Sequence, residues 1–135
     1  MSISKKEKWQ RYVDDALLKT EQVTMAAIHG LDGEAWATSD GFNVTTEQVA
    51  KLVTCITGDT TTLKKSGIKV GNRSYILLRD DPGRSVYGRK GADSGVCVVK
   101  TKRALLIGVY GVGVQPGNCN AVMEKMADYL IEHGL

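Results

Sequence analysis

The sequence predicts an α+β fold in which a central antiparallel β-sheet is combined with helices from the two ends of the chain. Apolar residues recur at helical spacing near each terminus, whereas the middle of the chain carries short apolar runs separated by tight turns. We expect the 135 residues to form a single domain, residues 1–135. A chain of this length buries roughly two-thirds of its unfolded surface, so it folds without metals or disulfides.

The first helix is predicted by a capping box, because Ser4 is followed three residues later by Glu7. Trp9, Tyr12 and the apolar residues up to Leu17 then recur at i, i+3, i+4, i+7 and i+8, so they share one helical face. Two interpretations of the aromatic rings stay open at this point. They are either core residues or a partly exposed, flat binding surface at the margin of the apolar stripe.

A β-hairpin is expected next, with strands at residues 23–28 and 34–38 and an Asp-Gly turn at residues 29–33. Trp36 is at the centre of the second strand, and strand alternation places Ala35 and Ala37 on the opposite face. A second capping box, formed by Thr45 and Gln48, predicts a short amphipathic helix over residues 46–57.

The second half of the chain is predicted to be mainly strands. After a polar loop at residues 58–67, five short strands follow, joined by tight turns as in an antiparallel meander: residues 68–70, 75–79, 85–90, 95–100 and 104–110. The last two are apolar enough to be buried on both faces. Pro116 opens the final helix, whose buried stripe includes Cys119, Met123 and Leu130, with Tyr129 at its edge.

The net charge of +3 is unevenly distributed along the chain. Residues 60–105 contain eleven basic residues and three acidic ones. This basic central segment favours binding to an acidic partner, which could be a protein surface, a phosphoinositide headgroup or nucleic acid. The alternative is that these side chains are only the solvated faces of strands.

No catalytic, metal-binding or cofactor-binding motif stands out. The cysteines at positions 55, 97 and 119 are widely spaced and odd in number, which favours free, buried thiols in a reducing compartment. The glycines at 111, 113 and 117 miss the dinucleotide fingerprint, and neither histidine has a nucleophile at motif spacing. The chain starts with polar residues, and its longest apolar run, residues 104–114, is too short to span a bilayer. We therefore expect a cytosolic protein, and an enzymatic activity is possible but has no support in the sequence motifs.

Six segments, taken in chain order, resemble the profilin family. They are Trp9-x-x-Tyr12-Val13-Asp14, Ala26-Ala27-Ile28-x-Gly30-x-Asp32-Gly33-x-x-Trp36-Ala37, Gly88-Arg89-Lys90-Gly91-Ala92, Ala104-Leu105-Leu106-Ile107-Gly108-Val109-Tyr110, Pro116-Gly117-x-Cys119-Asn120 and Asp128-Tyr129-Leu130-Ile131-Glu132-x-Gly134-Leu135. The resemblance covers nearly the whole chain. It implies a central antiparallel sheet with the N- and C-terminal helices packed side by side on one face and a short helix on the other.

The resemblance also implies two binding surfaces. One is an aromatic groove for proline-rich proteins, formin-like or similar, and the matching residues are Trp9, Tyr12, Trp36, Tyr129, Leu130 and Leu135. The other binds monomeric actin, and the matching residues are Arg73, Arg79, Arg89, Lys90, Gly117, Asn120 and Lys125. Ser74 stands where family members often have a lysine, and Arg73 is expected to substitute for it.

On this resemblance, the chain is expected to be a monomeric, non-enzymatic regulator of actin polymerisation and nucleotide exchange in the cytoplasm and cytoskeleton. Phosphoinositide headgroups are a further expected ligand, and nucleic acid is not. One alternative stays open. It is a phosphoinositide-binding membrane-surface module that has the same fold and weak or no actin binding.

Overall fold

The computed structural model describes residues 4–135 and confirms the α+β class. Helix α1 (Lys5–Arg11) continues through a π-helical turn (Tyr12–Leu17) and a 3₁₀ turn (Leu18–Thr20). The remaining elements, in chain order, are β1 (Met25–Gly30), β2 (Ala35–Thr38), α2 (Thr46–Thr57), α3 (Thr61–Ser66), β3 (Ile68–Val70), β4 (Arg73–Asp81), β5 (Ser85–Lys90), β6 (Ser94–Lys100), β7 (Ala104–Tyr110) and α4 (Pro116–Glu132).

Seven strands form one antiparallel sheet in the order β2-β1-β7-β6-β5-β4-β3. Strands β3 to β7 form the expected meander, and β7 pairs with β1 on its other side. Every residue of β7 is buried because the strand is central and covered on both faces. The prediction of a meander ending in buried central strands is therefore confirmed.

The sheet separates two hydrophobic cores. On one face, Val13 and Leu17 of the N-terminal segment meet Met123 and Leu130 of α4, and all four are completely buried. On the other face, helices α2 and α3 cover the sheet with apolar side chains such as Leu63. The terminal helices thus share one face, which we call the terminal-helix face, and the two short helices share the other.

Two local predictions are wrong, and the first helix is irregular. Residues 58–67 are not a simple loop, since α3 forms there and buries Leu63. Strand β1 continues through His29 and Gly30, which pair with β7 instead of turning. The first helix does not stay α-helical, because the N–H of Leu18 bonds to the carbonyl of Val13, five residues earlier. Within the described residues, no helix has the length and apolar character needed to cross a membrane.

Candidate functional site

Five rings form a continuous row across the terminal helices and the β1–β2 hairpin. Trp36 packs on Trp9, with ring centroids 4.8 Å apart and planes inclined by 41°. Trp9 meets Tyr12 edge-on at 5.4 Å, and Tyr12 meets Tyr129 in the same way at 6.1 Å. His133 continues the row at 4.3 Å from Tyr129. The four predicted aromatic residues therefore lie together, and the sequence comparison missed His133, which is one helical turn beyond Tyr129.

The members of this row offer different amounts of surface. Tyr129 is 43% exposed, and Tyr12 and Trp36 are half-buried. Trp9 is only 4% exposed, so it is a core residue that supports the neighbouring rings, and the expectation that its edge faces a ligand is corrected. Leu130 has no exposed surface and packs in the core beneath the row, so its side chain offers nothing to a ligand.

A bulge in β2 brings Trp36 into the row. Ile28 pairs with Ala37, whereas the next residue of β1 pairs with Ala35, so Trp36 is the extra residue. Ala37 and Trp36 consequently both pack on the terminal-helix face, although simple alternation predicted opposite faces. Gly30 leaves room for the indole, because a Cβ atom at this position would lie 3.0 Å from Trp36 Cζ2.

One cavity lies at the Trp36 end of the row, and another lies beside Tyr12 and Tyr129. A cleft of about 820 Å³ borders Trp9 and Trp36 and is walled by α1, the β1–β2 turn and the β6–β7 turn. A channel of about 410 Å³ runs between the terminal helices, from Tyr12 and Tyr129 to Lys125. An extended ligand lying on the rings would therefore have open space beyond the Trp36 end of the row.

Hydrogen bonds from the β6–β7 turn hold the backbone of Leu135. The carbonyl of Leu135 accepts hydrogen bonds from the Thr101 hydroxyl, at 2.9 Å, and from the N–H of Arg103, at 2.6 Å. The Leu135 side chain is half-buried and packs on the core of the terminal-helix face. The backbone of Leu135 is thus held by the β6–β7 turn, which also lines the cleft beside Trp9.

The arginines matched to the actin surface do not all lie on one face. Arg79 pairs with Tyr87 on the terminal-helix face, where its guanidinium carbon is 4.5 Å from the centre of the Tyr87 ring. Arg89 follows two residues after Tyr87 on the same strand and shares its face. Arg73 points to the opposite face, where its guanidinium is 4.0 Å from the sulfur of Met25. The expectation that Arg73 substitutes for a lysine at the neighbouring position is therefore corrected, since adjacent strand residues point in opposite directions.

The other residues matched to actin are also divided. Gly117 and Asn120 lie in the first turns of α4, on the terminal-helix face, where Gly117 is exposed. Lys125 lines the channel between the terminal helices. Lys90 ends β5 and lines a cleft of about 370 Å³ at the sheet edge, together with Arg89, Ile76 and two lysines of α3. The candidate surface on the terminal-helix face thus contains four of the seven predicted residues: Arg79, Arg89, Gly117 and Asn120.

Two large apolar residues beside these arginines are exposed, and the sequence reasoning missed them. Ile76 is 73% exposed and pairs with Arg89, while Leu78 is 60% exposed in a bulge of β4. Strand β3 pairs only with the first residues of β4, so within residues 4–135 the β4 edge beyond them has no neighbouring strand. Exposed apolar side chains among arginines are typical of protein–protein interfaces.

A charged network holds α4 against β5. Arg84 donates hydrogen bonds to Glu124, at 2.6 and 2.8 Å, and to Asp128, at 2.9 Å. The hydroxyl of Tyr87 donates to the other carboxylate oxygen of Glu124. The side chains of Arg84 and Glu124 are 29% and 24% exposed. The network therefore fixes α4 relative to the strand that carries Arg89.

The three cysteines and one of the two histidines, His29, are buried. Within residues 4–135, no three metal-binding side chains come together. The three cysteines are buried, and burial raises the pKa of Cys119 to about 12, so its thiol is not a nucleophile near neutral pH. Burial also lowers the pKa of His29, whose Nδ1 lies 3.1 Å from the Gly33 carbonyl oxygen.

Known proteins resemble this chain along nearly its whole length. Residues 7–135 match the family model described as Profilin. Profilin-2 of Acanthamoeba castellanii is 48% identical over 126 residues, which are 93% of this chain and 98% of that protein. The profilin of Branchiostoma belcheri is 41% identical over 127 residues, 94% and 98% of the two chains. The crystal structure of Acanthamoeba castellanii profilin II has a TM-score of 0.89 at 47% identity and covers 94% of this chain and 99% of its own.

The fold thus agrees with the comparisons. The chain belongs to the profilin family, and its curled seven-stranded sheet with terminal helices on one face is the profilin fold. Profilins are actin-binding regulators that also bind proline-rich ligands.

Proposed function

We propose that this chain binds proline-rich proteins, formin-like or similar, on the aromatic row and binds monomeric actin on the opposite end of the terminal-helix face. The observation that carries the proposal is the row itself, in which Trp36, Tyr12 and Tyr129 combine partly exposed rings on a rigid base. A polyproline II segment is already extended, so it loses little conformational entropy when its rings dock between aromatic side chains.

The row also supplies hydrogen-bond donors. The carbonyl groups of a proline-rich segment have no N–H groups of their own to pair with, so a good groove offers donors to them. Burial, and then the neighbouring Tyr129 hydroxyl, raise the pKa of Tyr12, so the Tyr12 hydroxyl keeps its proton at neutral pH. The Tyr12 hydroxyl, the Tyr129 hydroxyl and the Trp36 indole N–H are the donors that we assign to the ligand.

Binding of a capped oligoproline peptide, measured by calorimetry, tests the groove. Tyr129→Ala and Trp36→Ala should each lower the affinity about tenfold or more, because exposed aromatic anchors dominate such contacts. Trp9→Ala is a poorer test, since Trp9 is part of the core and its loss also affects folding. Ile76→Ala, on the other proposed surface, is the control and should bind normally. Full affinity in Tyr129→Ala would overturn the assignment of the groove.

The actin surface that we propose is centred on Arg79, Arg89 and the exposed Ile76, together with the start of α4. Arginine and apolar side chains supply contact area, and the positive charge would raise the association rate with an acidic partner. The chain would accelerate nucleotide exchange by binding one conformation of the actin cleft better than the other. It would do so in the cytoplasm, as part of the actin cytoskeleton.

Titration into monomeric actin, with release of a fluorescent nucleotide as the readout, tests this surface. Arg89→Glu should lower the affinity at least about tenfold, because a like charge replaces an interfacial arginine. Lys51→Glu makes the same charge change on exposed α2, on the other face of the sheet, and should leave actin binding unchanged. Absence of binding by the unmodified chain at micromolar concentration would refute the actin proposal.

A second candidate function, phosphoinositide binding, is favoured by one specific cleft. Lys90 and Arg89 line it from β5, and Lys64 and Lys65 line it from α3, without any acidic residue. Lys64→Gln/Lys65→Gln should weaken binding to phosphatidylcholine vesicles that contain phosphatidylinositol bisphosphate by at least about tenfold. If the chain is only a membrane-surface module, vesicle binding will be present while actin nucleotide exchange stays unchanged.

A further inference from the structure

The cleft at the Trp9 end of the aromatic row has a basic wall. Lys5 and Lys6 project from α1 and Lys102 and Arg103 from the β6–β7 turn, and all four are exposed. Trp9 and Trp36 line the same cleft, whose volume is about 820 Å³. The basic wall therefore begins where the aromatic row ends.

The cations of this wall are not engaged in ion pairs with other described residues. Among residues 4–135, the ion pairs involve other side chains, and none of the four cations has a carboxylate partner. Two acidic residues, Asp32 and Glu34, stand on the hairpin side of the cleft, and the Asp32 carboxylate accepts the N–H of Glu34 at 3.0 Å. The cleft is thus divided into a basic side and a weaker acidic side.

Half of the basic wall lies outside the part of the chain that matches the family model. That match begins at residue 7, whereas Lys5 and Lys6 precede it. Both lysines are nevertheless helical, because the side chain of Ser4 caps α1 by accepting the N–H of Glu7 at 3.1 Å. The start of this chain thereby adds two positive charges to the end of the aromatic row.

We propose that the basic cleft binds an acidic residue that flanks the proline stretch of a ligand, so that the chain selects proline-rich peptides with Asp or Glu at one end. The inference rests on the proposed function, since the prolines themselves dock on the aromatic row. A carboxylate next to the prolines would meet the unpaired cations of α1 and the β6–β7 turn, while Asp32 and Glu34 would keep it on that side of the cleft. Only one end of the ligand benefits, because the basic cleft lies at one end of the row.

Three capped oligoproline peptides test this selection when they are titrated at low ionic strength. One is neutral, one carries two glutamates before the prolines, and one carries two glutamates after them. One acidic peptide should bind about fivefold more tightly than the neutral peptide, the effect of two exposed ion pairs, and the difference should shrink at high salt. Equal gains at both ends would reflect general attraction to a positive chain and would overturn the proposal.

Matched variants locate the effect. Lys5→Gln/Lys6→Gln and Lys102→Gln/Arg103→Gln should each reduce the advantage of the acidic peptide and leave the neutral peptide unaffected. Lys8→Gln removes an exposed charge from the same helix outside the cleft, so it should keep the advantage. Persistence of the advantage in both double variants would overturn the proposal.

The outcomes separate this inference from the function on which it rests. If the neutral peptide binds and neither acidic peptide binds better, only the selection of acidic flanks is overturned. If no peptide binds, the proline groove is overturned as well. If Lys5→Gln/Lys6→Gln weakens binding to phosphatidylinositol bisphosphate vesicles but not to the acidic peptide, the basic wall contacts membranes and the proposal fails.

Discussion

Gly30→Ala should weaken both the fold and the binding of proline-rich peptides, because Trp36 packs directly on the backbone of Gly30. A Cβ atom there would lie 2.7 Å from Asp32 Oδ1 and 3.0 and 3.1 Å from two atoms of the indole. The carboxylate can turn away, but the indole has to shift from its packing on Trp9. Overpacking of this kind costs about 1–3 kcal/mol. The methyl group also restricts the unfolded chain, which offsets about 0.4–1 kcal/mol, so we expect a net loss of about 1 kcal/mol.

Urea unfolding and peptide titration measure the two effects of Gly30→Ala separately. The affinity for oligoproline should fall about threefold to tenfold, because a well-placed aromatic pair contributes about 0.5–1.5 kcal/mol. Gly111→Ala is the matched control, since its φ is not positive and no other group lies within 4 Å of the added methyl. It should bind normally and be slightly more stable than the unmodified chain. Lower stability of Gly30→Ala with unchanged affinity would refute the role of Gly30 in placing Trp36.

Three further predictions concern stability and reactivity. Glu124→Gln should lower the free energy of unfolding by about 1.5–3 kcal/mol, because Arg84 loses a charged acceptor. Asp15→Asn, on the exposed surface, should change it by less than about 1 kcal/mol. Equal effects of the two variants in urea unfolding would contradict this prediction. Burial lowers the pKa of His29 in the folded chain, so the unfolded chain binds a proton on this imidazole at a higher pH than the folded chain does. The free energy of unfolding should therefore fall as the pH drops below about 6.5. His29→Gln should flatten this slope, and an unchanged slope would assign it to another group. A thiol reagent should label Cys119 only after unfolding, so labelling of the folded chain at the rate of a free thiol would contradict its burial.

Much of the fold follows from local sequence patterns, whereas the errors depend on contacts between distant segments. Helix α2 has a capping box and an apolar stripe, and its observed bounds coincide with the predicted ones. Helix α3 has neither signal, since its six residues bury only Leu63 and its N-cap makes no side-chain hydrogen bond. His29 and Gly30 resemble a turn, but pairing with β7 extends the strand through them. Likewise, the burial of Trp9 depends on Trp36, which a distant hairpin supplies.

Two β-bulges decide which side chains reach the proposed binding surfaces, and neither leaves a signal in the local sequence pattern. Arg79 lies six positions after Arg73, an even offset, so simple alternation places the two side chains on one face. Because Leu78 is inserted in β4 before Arg79, only Arg79 emerges on the terminal-helix face. In β2, Trp36 is the inserted residue, and it faces the terminal helices together with Ala37. A one-residue shift moves every later side chain of a strand to the other face of the sheet. Each bulge therefore adds one side chain of a proposed binding surface to the terminal-helix face. The aromatic row and the arginine surface therefore lie on one face of the sheet, at opposite ends of α4.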